Sequence, residues 1–145
     1  MFGLVSPDDC GLRNCKVAVY DGDVPIHIAP EPDLVEPMVL DLLEWGKTTD
    51  VHPLVKGSAL HYQLEYIHPF VDGNGRMGRL WHSAILSEWK SVFLNIPLEP
   101  RIQKNQPEYY SVLEKCDRTG DCSEFVRLCL RMTEDVLSEI FRTEN

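Results

Sequence analysis

Apolar residues recur every three to four positions along most of this chain, a period that leaves room for little except helices. From Asp33 to Lys47 they fall at Leu34, Val35, Met38, Val39, Leu42, Leu43 and Trp45. A second stretch runs from His52 or Pro53 to about Ile67 and places Leu54, Val55, Ala59, Leu60 and Leu64 on one side. A third starts near Asn74 and carries Leu80, Trp81, Ala84, Ile85 and Leu86 to Trp89. Lys90 to Pro107 contains prolines that interrupt helices, with a short helix expected around Arg101 to Asn105. Helical spacing resumes at Pro107 to Cys116 and from about Cys122 to Phe141. Trp45, Trp81 and Trp89 lie on the apolar faces and are expected in the core, whereas His27 and His82 read as surface or packing residues.

One segment departs from that period. Val17-Ala18-Val19-Tyr20 and Asp23-Val24-Pro25-Ile26-His27-Ile28 flank Asp21-Gly22. Asp-Gly between β-prone runs predicts a hairpin over 17–28, with the glycine taking the positive φ of a type I′ turn. Pro25 has no N–H to give a ladder, so it marks an edge. Residues 1–16 show no period and read as irregular. With 145 residues and no internal repeat, the expectation is a single all-α domain carrying one β-hairpin.

Charge and cysteine usage exclude several classes. A net charge of −9 argues against a nucleic-acid grip, which needs clustered Lys and Arg. It leaves room for a small basic pocket, because local and net charge are different quantities. Cys10, Cys15, Cys116, Cys122 and Cys129 form no CxxC pair and are odd in number, as expected of reduced thiols in a cytoplasm. The start, Met1-Phe2-Gly3-Leu4-Val5-Ser6, lacks the basic region and long apolar stretch of a signal peptide. No apolar run approaches the roughly 20 residues that span a bilayer. A soluble cytoplasmic protein, with no nucleic acid or membrane as partner, is the expectation.

The chemistry is concentrated between the second and third helices, in His68-Pro69-Phe70-Val71-Asp72-Gly73-Asn74-Gly75-Arg76-Met77-Gly78-Arg79. Pro69 disfavours the α conformation at His68 and so ends a helix there. Gly73 and Gly75 let the backbone turn sharply and approach a ligand. A helix then begins, so free N–H groups and the positive end of its dipole face the loop. Arg76 and Arg79, three apart, share a helix face. Two guanidinium forks beside an amide nest suit several phosphates, and Asp72 offers a hard oxygen for Mg²⁺. His68 supplies an imidazole able to take a proton near neutral pH. Singly, each residue has a plainer reading as a cap, a turn or a solvated face. Their coincidence within one short segment carries the inference. Two rival readings use the same residues. Gly73-Asn74-Gly75-Arg76-Met77-Gly78 satisfies G-x-G-x-x-G, but that fingerprint must follow a strand in a βαβ unit. His61, Glu65 and His68, spaced four and three apart, could ligate a transition metal.

The twelve-residue segment resembles the Fic family motif, His-Pro-Phe-x-[Asp/Glu]-Gly-Asn-Gly-Arg-x-x-Arg, at every specified position. Likeness extends over about residues 13 to 135, through His61-Tyr62-Gln63-Leu64-Glu65-Tyr66-Ile67 before the motif and Asn105-Gln106-Pro107-Glu108-Tyr109-Tyr110 after it. The resemblance implies a Fic-type helical domain that transfers AMP from ATP to a Ser, Thr or Tyr hydroxyl of a target protein and releases pyrophosphate. It implies His68 as general base, with Pro69 and Phe70 anchoring the loop and Phe70 packed into the core. It places Mg²⁺ on Asp72, the anion hole at Gly73, Asn74 and Gly75, and the β- and γ-phosphates on Arg76 and Arg79. Gly75, where phosphotransferase relatives carry Lys, speaks against that reaction. Transfer of UMP, GMP or phosphocholine, or a non-catalytic binding role, are the alternatives. The hairpin matches the family's flap, implying that Val17, Ala18, Val19, Val24 and Ile26 dock an extended strand of the target. A homodimer is a further partner to consider.

Relatives are often restrained by a helix of pattern [Ser/Thr]-x-x-x-Glu-[Gly/Asn], whose Glu pairs with the second motif arginine. No Ser or Thr here is followed four residues later by Glu, and before Glu144-Asn145 the hydroxyl position holds Ile140. The expectation is that no inhibitory glutamate of this chain reaches Arg79 to occupy the γ-phosphate position. A separate inhibitory protein would then supply the restraint, or the sequence is a fragment.

Overall fold

In a computed structural model, residues 11–96 and 98–143 are described, the last of them by its backbone alone. Two strands, β1 (Ala18–Asp21) and β2 (Val24–Ile28), precede six α-helices. These are α1 (Pro32–Thr48), α2 (Pro53–Ile67), α3 (Asn74–Trp89), α4 (Glu99–Lys104), α5 (Gln106–Thr119) and α6 (Ser123–Thr143), with a short 3-10 helix over Ser91–Asn95. The all-α architecture with one hairpin is as expected. Most of the irregular stretch after α3 is ordered into the 3-10 helix and α4. No helix among the described residues is long and apolar enough to cross a membrane. Cys15, Cys116, Cys122 and Cys129 are free thiols; Cys10 lies outside the described residues.

α2 is the axis of the fold, packed on α1, α3 and α6. Leu60, Leu64 and Ile67 face Val35 and Leu42 of α1, while Tyr62 joins Phe125, Leu128, Cys129 and Met132 of α6. A helix buried on several sides needs no polar face. α3 approaches α2 so closely that a Cβ at Gly78 would sit 2.6 Å from the His61 ring. The buried stripe of α3 is Asn74, Gly78, His82 and Leu86, one residue every four. Only the last of these is a large aliphatic side chain, so hydrophobicity alone misplaces the face. Leu80 and Trp81 consequently point outward, at 63% and 40% exposure. Trp89 is also exposed, edge-on to His52 and stacked on Phe93, and only Trp45 packs against a core cluster. His82 is fully buried and His27 mostly so.

The hairpin pairs Ala18 with Ile28 and Asp21 with Val24, with a register irregularity at Val19/Tyr20. Its turn residues are Gly22-Asp23, one position later than expected. Gly22 has φ +60° and Asp23 does not share the positive region. This matches a type II′ turn, which takes glycine at its first central position, and not type I′, which needs two positive φ values. Val17 lies outside β1 but its carbonyl accepts from the Ala29 amide at 3.2 Å. His27 ties the hairpin down: one ring nitrogen meets Asp117 of α5 at 2.5 Å, and the other donates to the Tyr66 carbonyl of α2 at 2.7 Å.

Candidate active site

His68 ends α2 in the left-handed region, φ +50° and ψ +58°, the only non-glycine among the described residues with positive φ. Such a conformation persists in a bulky residue only where its surroundings hold it. Arg13 does so. Its guanidinium, in a residue 4% exposed, donates to the carbonyls of His68 (2.7 Å), Ile67 (3.1 Å), Pro30 (2.7 Å) and Cys15 (2.8 Å). Its backbone N–H donates to the Pro69 carbonyl at 2.8 Å. Arg13 falls in the segment whose sequence reads as irregular; one arginine without period or motif gives no signal that it fastens a loop 55 residues away.

Behind His68 the loop is closed by a side chain and not by a ring. Asn74, 3% exposed, accepts from the Phe70 N–H and donates to the Phe70 carbonyl, both at 2.8 Å. Pro69 is fully buried, but Phe70 is only half-buried and joins no core cluster. Its side-chain oxygen and one amide hydrogen are thus committed to Phe70, and its backbone N–H stands in the first turn of α3. Gly73, at φ +88°, precedes α3 without any side-chain cap. The first-turn N–H groups of α3 therefore remain available to a ligand.

Around this turn lies an open cleft of ≈ 330 Å³. His68, Asp72, Gly73, Asn74, Gly75, Arg76 and Arg79 all line it, together with Val19 of β1. The loop residues assigned from sequence thus share one cavity with a residue of the hairpin. Glu65, Val71, Tyr109 and Tyr110 line it as well. A larger concavity of ≈ 600 Å³ along α3 and the 3-10 helix is lined by Leu80, Phe93, Leu94 and Ile96 and by no titratable group, so size alone does not locate the chemistry.

The two arginines differ. Arg76 is exposed and meets Asp72 at 3.4 Å, both side chains largely in water. Arg79 is largely buried, and its Nε donates to Glu99 of α4. A glutamate of this chain thus pairs with Arg79, whereas the expectation concerned an inhibitory one standing in the γ-phosphate position. α4 carries Glu99 there without the sequence pattern that the expectation required. Glu99 does not line the cleft, however, so the contact is made from outside it. Glu144-Asn145 lies outside the described residues.

Burial and neighbours set the protonation states. Burial lowers the pKa of His68, and the charges of His27 and Arg13 add to this against the contact with the Glu65 carbonyl. That carbonyl, 3.3 Å from Nδ1, can only accept. Nδ1 therefore carries the hydrogen and Nε2 is the free base. Burial also lowers His27, but its bond and charge pairing with Asp117 prevail and raise it. Burial lifts Glu65 to about 7, against the pull of Arg79 and His27. Its Oε1 is buried with no hydrogen-bond partner, 3.8 Å from His61 Nε2.

The spacing-based metal set of His61, Glu65 and His68 does not assemble. His61 turns inward to His82 (Nδ1 to Nδ1, 3.3 Å) and receives the Tyr109 hydroxyl at Nε2 (3.1 Å). With Cys129 these histidines make a close, fully buried group. Burial holds the His82 ring down at about 4 and the Cys129 thiol up at about 12, so all three are neutral and hydrogen bonding accounts for the histidine pair. The dinucleotide reading fails too: the glycine segment follows a helix, and the only sheet among the described residues is a two-stranded antiparallel one.

Similarity to known proteins follows the same outline. A family model described as the Fic/DOC family matches residues 12–86, just over half of the chain. The chain is 34% identical over 138 residues to "Protein adenylyltransferase Fic" of Nematostella vectensis, covering 92% of this chain and 30% of that protein. It is 34% identical over 142 residues to the protein of the same name from Drosophila mojavensis, covering 94% and 26%. Among solved structures, a Fic family protein from Desulfovibrio desulfuricans matches with a TM-score of 0.87 at 40% identity, over 92% of this chain and 41% of that one. A Fic protein from C. elegans matches with a TM-score of 0.52 at 27% identity, over 86% and 36%. The chain spans less than half the length of each of these relatives.

Proposed function

The chain belongs to the Fic/DOC family, and from that premise we propose that it is a protein adenylyltransferase, moving AMP from ATP to a Ser, Thr or Tyr hydroxyl of a target protein. The observation that carries the proposal is the shared cleft: His68, the uncapped start of α3, Arg76 and Arg79 line one cavity. The triphosphate lies along the first turn of α3. Backbone N–H groups at Asn74 and Gly75, with Arg76 and Arg79, take the charge of the β- and γ-phosphates. The target hydroxyl loses its proton to His68 Nε2 as its oxygen attacks the α-phosphorus. The bond from that phosphorus to the bridging oxygen breaks, and pyrophosphate leaves with the electron pair. Base catalysis of this kind contributes about 10² to 10⁴-fold, and fixed positive charge around the leaving group supplies much of the rest.

Asp72 suits Mg²⁺, an ion held by one or two carboxylates together with substrate phosphates. Its carboxylate lines the cleft, 76% exposed and met only at 3.4 Å by Arg76. When bound there, the ion supplies charge neutralisation and orientation of the phosphates. Val19 brings the hairpin to the same cleft, so a target strand added to β1 would present its hydroxyl beside His68. The test is incubation with Mg²⁺, cell lysate and ATP labelled at either the α- or the γ-phosphate. Label should pass to protein from the α position only, and not with His68→Ala or Asp72→Ala. Transfer of γ-label would mean a phosphotransferase; label independent of His68 would defeat the proposal.

A further inference from the structure

Arg79 is held by one edge and presented by the other. A guanidinium has one N–H on Nε and four on its two Nη atoms. In Arg79 the Nε–H is committed to Glu99. The Nη side lies against the motif: a Cβ at Gly75 would stand 2.8 Å from Nη1 and 3.6 Å from Nη2. Gly75 and Arg79 both line the cleft, and Glu99 is not among its lining residues.

The holder is itself fixed. Glu99 opens α4; Leu98 just before it and Ile102 within the helix are 5% and 8% exposed in the main core cluster. Arg101 of the same helix pairs with Glu139 of α6. A carboxylate on a docked helix can aim a long side chain that would otherwise lose several rotamers' worth of entropy on binding a ligand. An alternative anion is close by. The carboxyl of Glu65 lines the cleft, feels the charge of Arg79, and has its Oε1 without a hydrogen-bond partner. Without Glu99, Arg79 could collapse onto Glu65 and withdraw its Nη edge from the cavity.

We infer that Glu99 is a positioning residue for the nucleotide, holding Arg79 by Nε so that both Nη groups face the terminal phosphates. This rests on the adenylyltransferase reading of the cleft and adds to it a residue outside the motif. The opposite reading of the same contact is a latch, in which Glu99 competes with phosphate for Arg79. The two differ in sign.

The experiment is calorimetric titration of Mg-ATP and of AMP into the wild type, Arg79→Ala, Glu99→Ala, Glu99→Gln and Glu139→Ala. AMP lacks the phosphates that Arg79 would reach, so its affinity reports the integrity of the rest of the cleft. Glu139→Ala controls for loosening of α4. Glu99→Ala should weaken ATP about 10-fold, as expected for losing one hydrogen bond to a charged group, and leave AMP within about 2-fold. Glu99→Gln retains an oxygen acceptor and should restore most of the difference. ATP binding to Glu99→Ala that is unchanged or tighter, equal losses of ATP and AMP, or an equal loss in Glu139→Ala would each overturn the inference. If Arg79→Ala binds ATP like the wild type, the reading of the cleft fails first, and with it any role for Glu99. If Arg79→Ala weakens ATP and Glu99→Ala does not, only the inference falls.

Discussion

The motif loop and the hairpin reach the same cleft by opposite means. Between His68 and Asn74 nearly every exposed turn is backed by a buried partner: Arg13 on three consecutive carbonyls from Ile67 to Pro69, and Asn74 on both polar groups of Phe70. The hairpin leaves Tyr20, Val24 and Ile28 more than half exposed and is tied to the helices by the His27 bonds to Asp117 and Tyr66. The loop is built to hold one geometry, as the proposed phosphate site would require. The hairpin keeps open strand edges that another chain could extend. Changes to the loop should therefore abolish chemistry whatever the target. Changes to the hairpin should affect the target alone.

The comparison is tested most severely at His68. His68→Ala should lower the rate of transfer by about 10² to 10⁴-fold while leaving ATP affinity near the wild-type value. Because burial keeps the wild-type ring neutral, its activity should hold steady from the ordinary imidazole value of 6.5 upward and fall only at lower pH. Parallel losses of rate and affinity would mean that His68 shapes the loop and does not act as base.

Arg13→Ala tests the backing without touching the cleft lining. It leaves several buried carbonyls unpaired, a loss of about 3 kcal/mol or more, or roughly 10 °C in Tm. Thermal unfolding at fixed pH checks this. A change of only a degree or two would show that the loop holds itself.

Glu65→Gln should act through pH. The folded carboxyl ionises near 7 and the unfolded one near 4.5. Stability is thus undiminished below the lower value, declines as pH rises between the two, and stays reduced above 7. The neutral variant should escape that decline and gain up to about 3 kcal/mol at pH 8 relative to pH 4. Denaturant titrations at the two pH values measure the difference, and identical slopes for both proteins would contradict it.

The smallest effect belongs to the hairpin. Val19→Pro removes a backbone donor from β1 and should reduce target modification several-fold, about 1 kcal/mol, with ATP affinity unchanged. Equal losses of both would make the hairpin a cover for the core and erase the contrast with the loop.

What could be read from the sequence divides along the same line. The motif was legible because its functional groups are contiguous: Pro69 ends α2, Gly73 starts α3, and the arginines fall on one face by spacing alone. The helices were legible from apolar period, except where α3 buries Asn74, Gly78 and His82, which no hydrophobic pattern marks. Its two tryptophans were misplaced for that reason. Arg13 and Glu99 were invisible as site residues, and Glu65 was legible only as a candidate metal ligand, because their roles exist only through contacts across the fold. The hairpin was found, but Gly22 was one position early for the turn type expected of Asp-Gly.

Tandem mass spectrometry of a target protein incubated with Mg-ATP and this chain tests the central claim most directly. The account expects the mass of one AMP on a Ser, Thr or Tyr hydroxyl, absent when His68→Ala replaces the wild type. A phosphate or a different nucleotidyl group on the target, or the same AMP adduct with His68→Ala, would contradict it.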